Sequence, residues 1–300
     1  MEKRSILHMI DPMPHNSPFD INMAMDAGFD VMMPYNNVKL ESVHGLVQDA
    51  IFSRGPGGVK LTGVFIGGRN VGLAVDMMEA AKKAMVPPFE VSVFADPSGA
   101  YTTAAALVAC VEKQLNEKHG KALKDCHGIV FGGTGAVGIV TGVIASLAGA
   151  DITLTDHLSV DNAIAVANEY NARFGCKLKG TCASSEADKA RLLKHADIIF
   201  CTAKAGIQVI NRDSLEDATQ LMVAGDVNAV PPLGIEGIKR GDMGVPLIHA
   251  VNSKDAVGIG ALAVGNVKYQ LQNLLLKLML ETEKPLYIDF RDAFAKAREL

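Results

Sequence analysis

Three glycines at the spacing Gly-x-Gly-x-x-Gly, in the segment Gly133–Gly138, are the clearest sign of chemistry in this sequence. An apolar run, Gly128–Phe131, precedes them, and an apolar stretch from Ala136 to Ala148 follows. This order predicts a strand, a tight turn and a helix whose free N–H groups bind the pyrophosphate of a dinucleotide. The residues of the turn that we expect to contact the cofactor are Gly133, Thr134, Gly135, Ala136, Val137 and Gly138.

The next apolar run, Ile152–Thr155, ends at Asp156, close to the offset of about 20 residues at which such units carry a ribose-binding acid. A carboxylate there accepts hydrogen bonds from the ribose hydroxyls of NAD and repels the 2′-phosphate of NADP. No Arg or Lys occurs between His157 and Asp161, although His157 and Ser159 can donate to a phosphate. We therefore expect NAD to be used well and NADP to be accepted. The alternative is a glycine turn in another α/β fold, with Asp156 only beginning a turn.

Two later strand ends supply further candidates for cofactor binding. The run Ile198–Cys201 leads into Thr202 and Ala203, which would neighbour the cofactor ribose if the ligand binds beyond the carboxyl ends of the strands. Asp226 and Asn228 stand at another strand end, before a proline-containing loop of the kind that can line a cleft. A plain strand exit and ordinary turn chemistry explain the same residues equally simply.

Two charged residues outside the nucleotide unit, Asp20 and Lys268, have different settings. The segment Ser17–Asp20 has the order of a helix start, a capping serine followed by proline, so local composition gives Asp20 a structural explanation near the positive end of its helix and no catalytic one. A lysine in an apolar stripe needs an anionic partner, a cleft or a route to water. Lys268 lies at helical spacing among the apolar residues Val264, Leu271 and Leu275.

The elements that must position these residues alternate between short β-rich runs and helical patterns, which predicts mostly parallel sheets covered by helices. The charged stretch Glu117–Asp125 interrupts the pattern, and we place a domain boundary there. Before it, the segment 96–104 has the composition of a turn feeding a helix, with Thr102 as the candidate N-cap. The expected strands are Ser5–Ile10, Phe29–Met33, Gly63–Ile66, Val91–Phe94, His127–Phe131, Ile152–Thr155, Ile198–Cys201 and Leu221–Ala224. The expected helices are Pro18–Ala27, Glu41–Phe52, Val71–Met85, Thr103–Glu117, Ala261–Glu281 and a short one that ends at Leu300.

The composition is that of a globular protein of two domains, with 300 residues and a formal net charge of −4. That charge gives no support for nucleic-acid or anionic-membrane binding. The most apolar stretch, Leu262–Leu280, is broken by polar residues, so no membrane span is expected. The five cysteines are scattered without a Cys-x-x-Cys pair, which predicts reduced thiols in a cytoplasmic protein and no metal site.

Six ordered motifs extend along the sequence: Ser17–Asp20, Phe65–Gly68, Asp96–Ala105, Gly132–Gly138, Asp226–Ile235 and Gly258–Lys268. With these motifs, the whole chain resembles the methylene-tetrahydromethanopterin dehydrogenases of methylotrophic bacteria. The last two motifs are more specific than the glycine fingerprint. The segment Gly258–Lys268 is most similar to the branch that accepts NAD as well as NADP.

This resemblance implies a Rossmann-type doubly wound parallel-sheet domain at residues 121–260 that binds NAD or NADP. It implies a second α/β domain at residues 1–120, completed by helices in residues 261–300, that binds the pterin. The implied reaction oxidises the methylene bridge of tetrahydromethanopterin, a small-molecule C1 carrier in formaldehyde oxidation, to a methenyl group. A homo-oligomer is also implied.

By the same resemblance Asp20 and Lys268 are the catalytic candidates, in a cleft between the domains. Asp20 would stabilise the amidinium-like product, and Lys268 would anchor a polar pterin edge or pair with that acid. The implied substrate-binding residues are Asp96, Ser98, Thr102 and Thr103. The alternatives are a methylene-tetrahydrofolate dehydrogenase, which runs the same reaction on another pterin, and a protein that senses NAD(P) without turnover.

Overall fold

The structure is a computed structural model that describes residues 3–300, and at Pro56 only the backbone. Its strands, in chain order, are β1 (Ile6–Ile10), β2 (Val31–Tyr35), β3 (Thr62–Ile66), β4 (Ser92–Ala95), β5 (His127–Phe131), β6 (Asp151–Asp156), β7 (Lys179–Cys182), β8 (Ile198–Cys201), β9 (Val223–Asp226), β10 (Met243–Pro246), β11 (Val257–Ile259) and β12 (Tyr287–Ile288). Its helices, in chain order, are α1 (Pro18–Asp26), α2 (Leu40–Phe52), α3 (Pro56–Val59), α4 (Val71–Lys83), α5 (Ala100–Gln114), α6 (Ala136–Leu147), α7 (Val160–Phe174), α8 (Glu186–Leu193), α9 (Arg212–Glu216), α10 (Ala261–Glu281) and α11 (Phe290–Ala297).

The chain divides into two compact units. Unit 1 extends to Thr102 and resumes for Tyr269–Lys296, and unit 2 comprises Thr103–Lys268 and Ala297–Leu300. The division falls inside helix α5, earlier than the charged stretch at which the sequence analysis placed a boundary. That stretch does not interrupt the chain's helical course at once, because its first residues continue α5 as a π turn, Leu115–His119.

The sheet of unit 2 has the strand order β10-β11-β9-β8-β5-β6-β7. All neighbouring pairs are parallel except β10 with β11. Without the antiparallel edge strand β10, this is the 3-2-1-4-5-6 order of a Rossmann sheet, counted from β5. The order reverses at β5, so the carboxyl ends of β5 and β8 border the crevice where such sheets bind ligands. The predicted doubly wound sheet is confirmed.

The sheet of unit 1 is wholly parallel, in the order β12-β4-β3-β1-β2. This corresponds to the flavodoxin-like order 2-1-3-4-5, with the short C-terminal strand β12 as its fifth member. Every residue of the inner strands β3 and β4 is buried, as expected for a parallel sheet covered on both faces. The order reverses at β1, so the carboxyl ends of β1 and β3 border its crevice. The predicted second α/β domain is therefore confirmed as a fold.

A local rule explains where helix α1 begins. Helix α1 starts at Pro18 with Ser17 as its N-cap, as predicted, and the Ser17 side chain accepts a hydrogen bond from the Asp20 N–H at 3.4 Å. Two strands begin two residues later in the structure than the sequence analysis predicted. Strand β2 begins at Val31, because the Phe29 N–H still bonds to the Ala24 carbonyl at the end of α1. Strand β9 begins at Val223 rather than at residue 221.

One apolar cluster of buried residues in unit 2 includes Ile129 and Phe131 from strand β5 and Ile199 and Cys201 from strand β8. Side chains on these strands fix the positions of the loops that follow them, because a close-packed core resists displacement. Within the described part of the chain, no helix combines the length and the apolar character that crossing a membrane requires.

Candidate functional site

The glycine-rich turn joins β5 to α6 and is packed too tightly for side chains at two of its glycines. A Cβ at Gly133 would lie 2.8 Å from the Thr155 nitrogen, and a Cβ at Gly138 would collide with the Gly132 carbonyl oxygen. Gly132 itself has a φ of 74°, a conformation that favours glycine. These contacts hold the start of α6 against the ends of β5 and β6.

Gly135 differs from its neighbours, and it tests whether the turn fits a dinucleotide. Among the described residues, a Cβ there would meet only the Gly132 carbonyl oxygen within 4 Å, at 3.4 Å. Protein packing therefore does not account for a glycine at this position, and the space beside its backbone is open. Gly135 is also the N-cap of α6 and provides no side-chain cap, so the first N–H groups of the helix remain for an anion. The turn fits a pyrophosphate.

A cavity of about 380 Å³ adjoins this turn. Its walls come from the carboxyl ends of four neighbouring parallel strands, β5, β6, β7 and β8, from the loops that follow them, and from helix α8. Of the residues predicted from the sequence, those that line the cavity are Thr134, Gly135, Asp156, His157, Thr202 and Ala203. The other predicted turn residues, Gly133, Ala136, Val137 and Gly138, lie in the turn and the first turn of α6.

Thr202 and Ala203 lie directly against the glycine-rich turn. The Thr202 N–H and hydroxyl both donate to the Phe131 carbonyl, each at 2.9 Å. A Cβ at Gly132 would lie 2.7 Å from the Ala203 nitrogen. The exit of β8 is thus bonded to the exit of β5, at the point where the strand order reverses.

Asp156 ends β6 and is buried, with only 7% of its surface exposed. One carboxylate oxygen accepts from the N–H groups of Leu158 (2.7 Å) and Ser159 (3.0 Å). The other accepts from the Thr134 hydroxyl (2.9 Å) and the Asn162 amide (2.7 Å). Burial alone would raise the pKa of Asp156, but these four hydrogen bonds lower it to about 2. The ionised carboxylate ties the glycine-rich turn to the start of α7.

Asp226 and Asn228 are buried and bond to the protein. The Asp226 carboxylate accepts from the N–H groups of Asn228 (2.9 Å) and Ile235 (3.1 Å). It also accepts from the Cys201 thiol. Burial raises the pKa of Asp226, because hydrogen bonds offset only part of the desolvation. The Asn228 side-chain oxygen accepts from the Gly206 N–H at 3.0 Å, and this bond fixes the loop after β8.

Two lysines that the sequence analysis did not identify line the same cavity, Lys189 on α8 and Lys204 after β8. Lys189 pairs with Glu186 at 2.7 Å, and 15% of its side chain is exposed. Lys204 is exposed. Neither follows Asp156 closely in the sequence, so local inspection of residues 157–161 could not find them. Their positive charges matter for ligand binding, because they lie in the cavity that also holds the Asp156 carboxylate.

The predicted substrate residues of unit 1 lie where β4 ends. The prediction that Thr102 caps helix α5 is wrong, because the helix begins at Ala100 and Asp96 accepts the N–H groups of Tyr101 (2.9 Å) and Thr102 (3.2 Å) instead. The Thr102 hydroxyl donates to the other Asp96 oxygen at 2.6 Å. Both side chains are fully buried. Thr103, the first residue of unit 2, is half-buried.

Ser98, by contrast, is exposed and conformationally unusual. Its φ of 52° is in the left-handed region, which is uncommon for a residue with a side chain and is frequent at functional sites. Its hydroxyl donates to the Gly68 carbonyl at 2.9 Å, which joins the loop after β4 to the loop after β3.

Asp20 is buried within unit 1, with 5% of its surface exposed. Its carboxylate accepts a hydrogen bond of 2.8 Å from the side-chain amide of Gln272, which is fully buried. A buried carboxylate requires a hydrogen-bond donor, and Gln272 provides one from a distant element of the same unit. On α10, Lys268 is half-buried, while the apolar residues of its predicted stripe, Val264, Leu271 and Leu275, are buried.

Asp11 is a further acid that sequence reasoning missed. It directly follows β1 at the crevice of unit 1, it is 5% exposed, and it accepts from the Met13 N–H at 2.7 Å. Gly67, after β3, has no room for a side chain because a Cβ would collide with the Asp11 carboxylate. Burial raises the pKa of Asp11 despite the hydrogen bonds from Met13 and Gly68. The available signal was an acid immediately after an apolar strand.

Comparison with known proteins adds information on the whole chain. Residues 18–98 match the family model described as methylene-tetrahydromethanopterin dehydrogenase, N-terminal. The chain is 46% identical, over 99% of each protein, to the NAD(P)-dependent methylenetetrahydromethanopterin dehydrogenase of Methylorubrum extorquens. It is 29% identical, again over 99% of each, to the bifunctional protein MdtA of the same organism.

Among solved structures, shikimate 5-dehydrogenase from Listeria monocytogenes, in complex with shikimate and NAD, is similar in fold. The TM-score is 0.56 with 14% sequence identity, over 94% of this chain and 93% of that one. At this identity the likeness concerns the architecture alone.

Proposed function

Because the chain belongs to the methylene-tetrahydromethanopterin dehydrogenase family, we propose that it transfers a hydride from methylene-tetrahydromethanopterin to NAD or NADP and yields methenyl-tetrahydromethanopterin. The observation that carries the proposal is the open backbone beside Gly135, at the reversal of a Rossmann strand order. It supplies a dinucleotide site in a chain that is similar along its whole length to an enzyme of this name.

The chemistry makes modest demands on the protein. The donor carbon lies between two nitrogens, whose lone pairs stabilise the cation left when hydride departs, and bound NAD(P) accepts that hydride. The side chains must therefore hold the reactants in place and support charge as it moves. The reaction requires neither a metal ion nor a nucleophilic side chain.

Asp20 and Lys268 are the proposed catalytic residues. The Gln272 amide donates to the Asp20 carboxylate and so helps to hold it in place before the reaction begins. A fixed carboxylate stabilises the positive charge that develops on the amidinium-like product. Lys268 anchors a polar edge of the pterin.

We assign the cofactor to residues 121–260 and the pterin to residues 1–120 with the helices of 261–300. Asp96, Ser98, Thr102 and Thr103 are the proposed pterin-binding segment. Ser98 is suited to direct contact because it is exposed, whereas the buried Asp96 and Thr102 support its loop. Asp226 and Asn228 contribute to the cofactor site indirectly. The Asp226 carboxylate bonds to the Asn228 N–H, and the Asn228 side chain holds the loop after β8 through the Gly206 N–H.

The proposed setting is one-carbon metabolism in the cytoplasm, in the formaldehyde oxidation of a methylotroph. The five cysteines are free thiols, which suits a reducing compartment. A homo-oligomeric assembly is part of the proposal, on the strength of the family resemblance.

The test is a spectrophotometric assay of NADH or NADPH formation with purified protein and methylene-tetrahydromethanopterin. Activity is expected with both cofactors and should persist in the presence of EDTA. Methylene-tetrahydrofolate is the matched control substrate. A preference for the folate would identify the other pterin dehydrogenase, and cofactor binding without turnover on either would indicate a sensor. Loss of activity on chelation would contradict the metal-free mechanism.

A further inference from the structure

The nucleotide cavity is lined by both negative and positive side chains, so its charges do not exclude NADP. Asp156 contributes a carboxylate, and Lys189 and Lys204 contribute two ammonium groups from other elements. A ribose-binding acid favours NAD over NADP in two ways: it accepts a hydrogen bond from the 2′-hydroxyl of NAD, and it repels the 2′-phosphate of NADP. Both effects become weaker when protein groups already donate hydrogen bonds to the carboxylate.

The Asp156 carboxylate is fully occupied by the protein itself. A carboxylate has about four lone-pair positions, and here four donors fill them, from Thr134, Leu158, Ser159 and Asn162. A ribose hydroxyl must compete with these donors, so it gains less from this acid than from an unoccupied one. The same N–H and O–H dipoles point at the carboxylate and offset part of its negative charge, which weakens its repulsion of a phosphate.

The two lysines differ in how much of their charge remains for a ligand. Lys189 is paired with Glu186, whose second oxygen accepts from Asn211 (3.0 Å) and Ser214 (2.9 Å). This arrangement holds both groups in place and neutralises the lysine. Lys204 instead is exposed at the cavity wall.

Hydrogen bonds to neighbouring segments hold the backbone beside Lys204 in place. Its loop is anchored by the bond from the Gly206 N–H to Asn228 and by bonds from the Val209 and Ile210 N–H groups to the Gly234 carbonyl. A long flexible side chain on a fixed backbone can seek an anion without moving the loop.

We propose that Lys204 binds the 2′-phosphate of NADP and is the residue that lets this site accept both nicotinamide cofactors. The inference rests on the proposed function, since it concerns the cofactor of that reaction. It places the phosphate-binding cation after the fourth strand of the Rossmann order, and not after the second strand where Asp156 stands.

Calorimetric titration with adenosine 2′,5′-bisphosphate and with adenosine 5′-monophosphate tests the proposal without the pterin. Lys204→Gln should weaken binding of the bisphosphate by about tenfold, the effect of one hydrogen bond to a charged group, and weaken the monophosphate less. Lys204→Arg should restore most of the difference. In the wild type, discrimination between the two nucleotides should decrease as ionic strength rises. Kinetics should agree, with the NADP to NAD ratio of kcat/KM falling about tenfold in Lys204→Gln.

Lys189→Gln is the matched control, because it removes a lysine from the same cavity. It should change the affinities for both nucleotides to the same extent. Equal losses for both nucleotides in Lys204→Gln, or a selective loss of the bisphosphate in Lys189→Gln alone, would overturn the proposal. A protein inactive on methylene-pterins that still discriminates through Lys204 would refute the proposed reaction and leave this inference standing.

Discussion

Asp156 should be a major contributor to the stability of the nucleotide-binding unit, and Asp156→Asn tests this. The pKa of Asp156 falls from its ordinary 3.8 to about 2 in the folded protein. Each pKa unit corresponds to about 1.4 kcal/mol, so the ionised carboxylate stabilises the fold by about 2 kcal/mol at neutral pH. Asparagine keeps the size of the side chain but offers a single acceptor oxygen, so it cannot satisfy the four donors. The variant should lose about 2 kcal/mol of unfolding free energy.

The pH dependence of that loss identifies its cause. A carboxyl group whose folded pKa is lowered stabilises the protein fully above its unfolded pKa, and the contribution is lost as the pH falls through the folded pKa. The difference between wild type and Asp156→Asn should therefore be constant from pH 7 to pH 5 and decrease to about half near pH 3. The neutral side chain of the variant has no such transition.

The assay is urea unfolding followed by far-ultraviolet circular dichroism, since the sequence contains no tryptophan for fluorescence. Asp161→Asn is the matched control, because Asp161 is an exposed acid in the first turn of the adjoining helix α7. It should cost less stability, set by the helix dipole. A variant within about 0.5 kcal/mol of wild type at pH 7, the ordinary range for a surface substitution, would refute the reasoning. So would a difference that stays constant down to pH 3.

Two further substitutions separate catalytic from positioning roles. Asp20→Ala should lower kcat by about 10²-fold, the scale of removing one electrostatic stabiliser. A capping role alone predicts instead about 1 kcal/mol of lost stability and an unchanged kcat. Steady-state rates and thermal unfolding of the same variant distinguish the two roles. Asn228→Ala should raise the KM for NAD by about tenfold, since the Gly206 N–H loses its acceptor. The KM for the pterin should change much less, and equal changes in both constants would argue against a role in positioning the cofactor loop.

The sequence predicted best those features whose parts are contiguous. The strand β5, the glycine-rich turn and helix α6 are neighbours along the chain, and the spacing of their residues reflects one local geometry. The family resemblance, carried by ordered motifs, is confirmed by the full-length similarity. Features that depend on residues far apart in the sequence were harder to predict. Lys204 joins Asp156 only because β8 and β6 flank β5, an arrangement that no short window of sequence reveals.

Short and edge elements were missed for a related reason. Strand β7 is only partly buried and contains a lysine and a glycine, so it lacks the apolar alternation that marks a strand. Strand β12 has two residues, and its place in the sheet comes from pairing with β4. Thr102 has the composition of a cap, but the buried acid at Asp96 accepts the helix N–H groups first. In each case tertiary contacts outweighed a local pattern.

The buried contact between Cys201 and Asp226 also affects how the Cys201 thiol reacts with electrophiles. Burial, together with the neighbouring carboxyl group, raises the pKa of the Cys201 thiol well above its usual value. Burial likewise raises the pKa of Cys110 and Cys126, each to about 11. The thiolate is the reactive form, so these three sulfurs stay protonated and unreactive at neutral pH while unit 2 is folded. The rate at which Cys201 becomes alkylated therefore measures how often unit 2 opens.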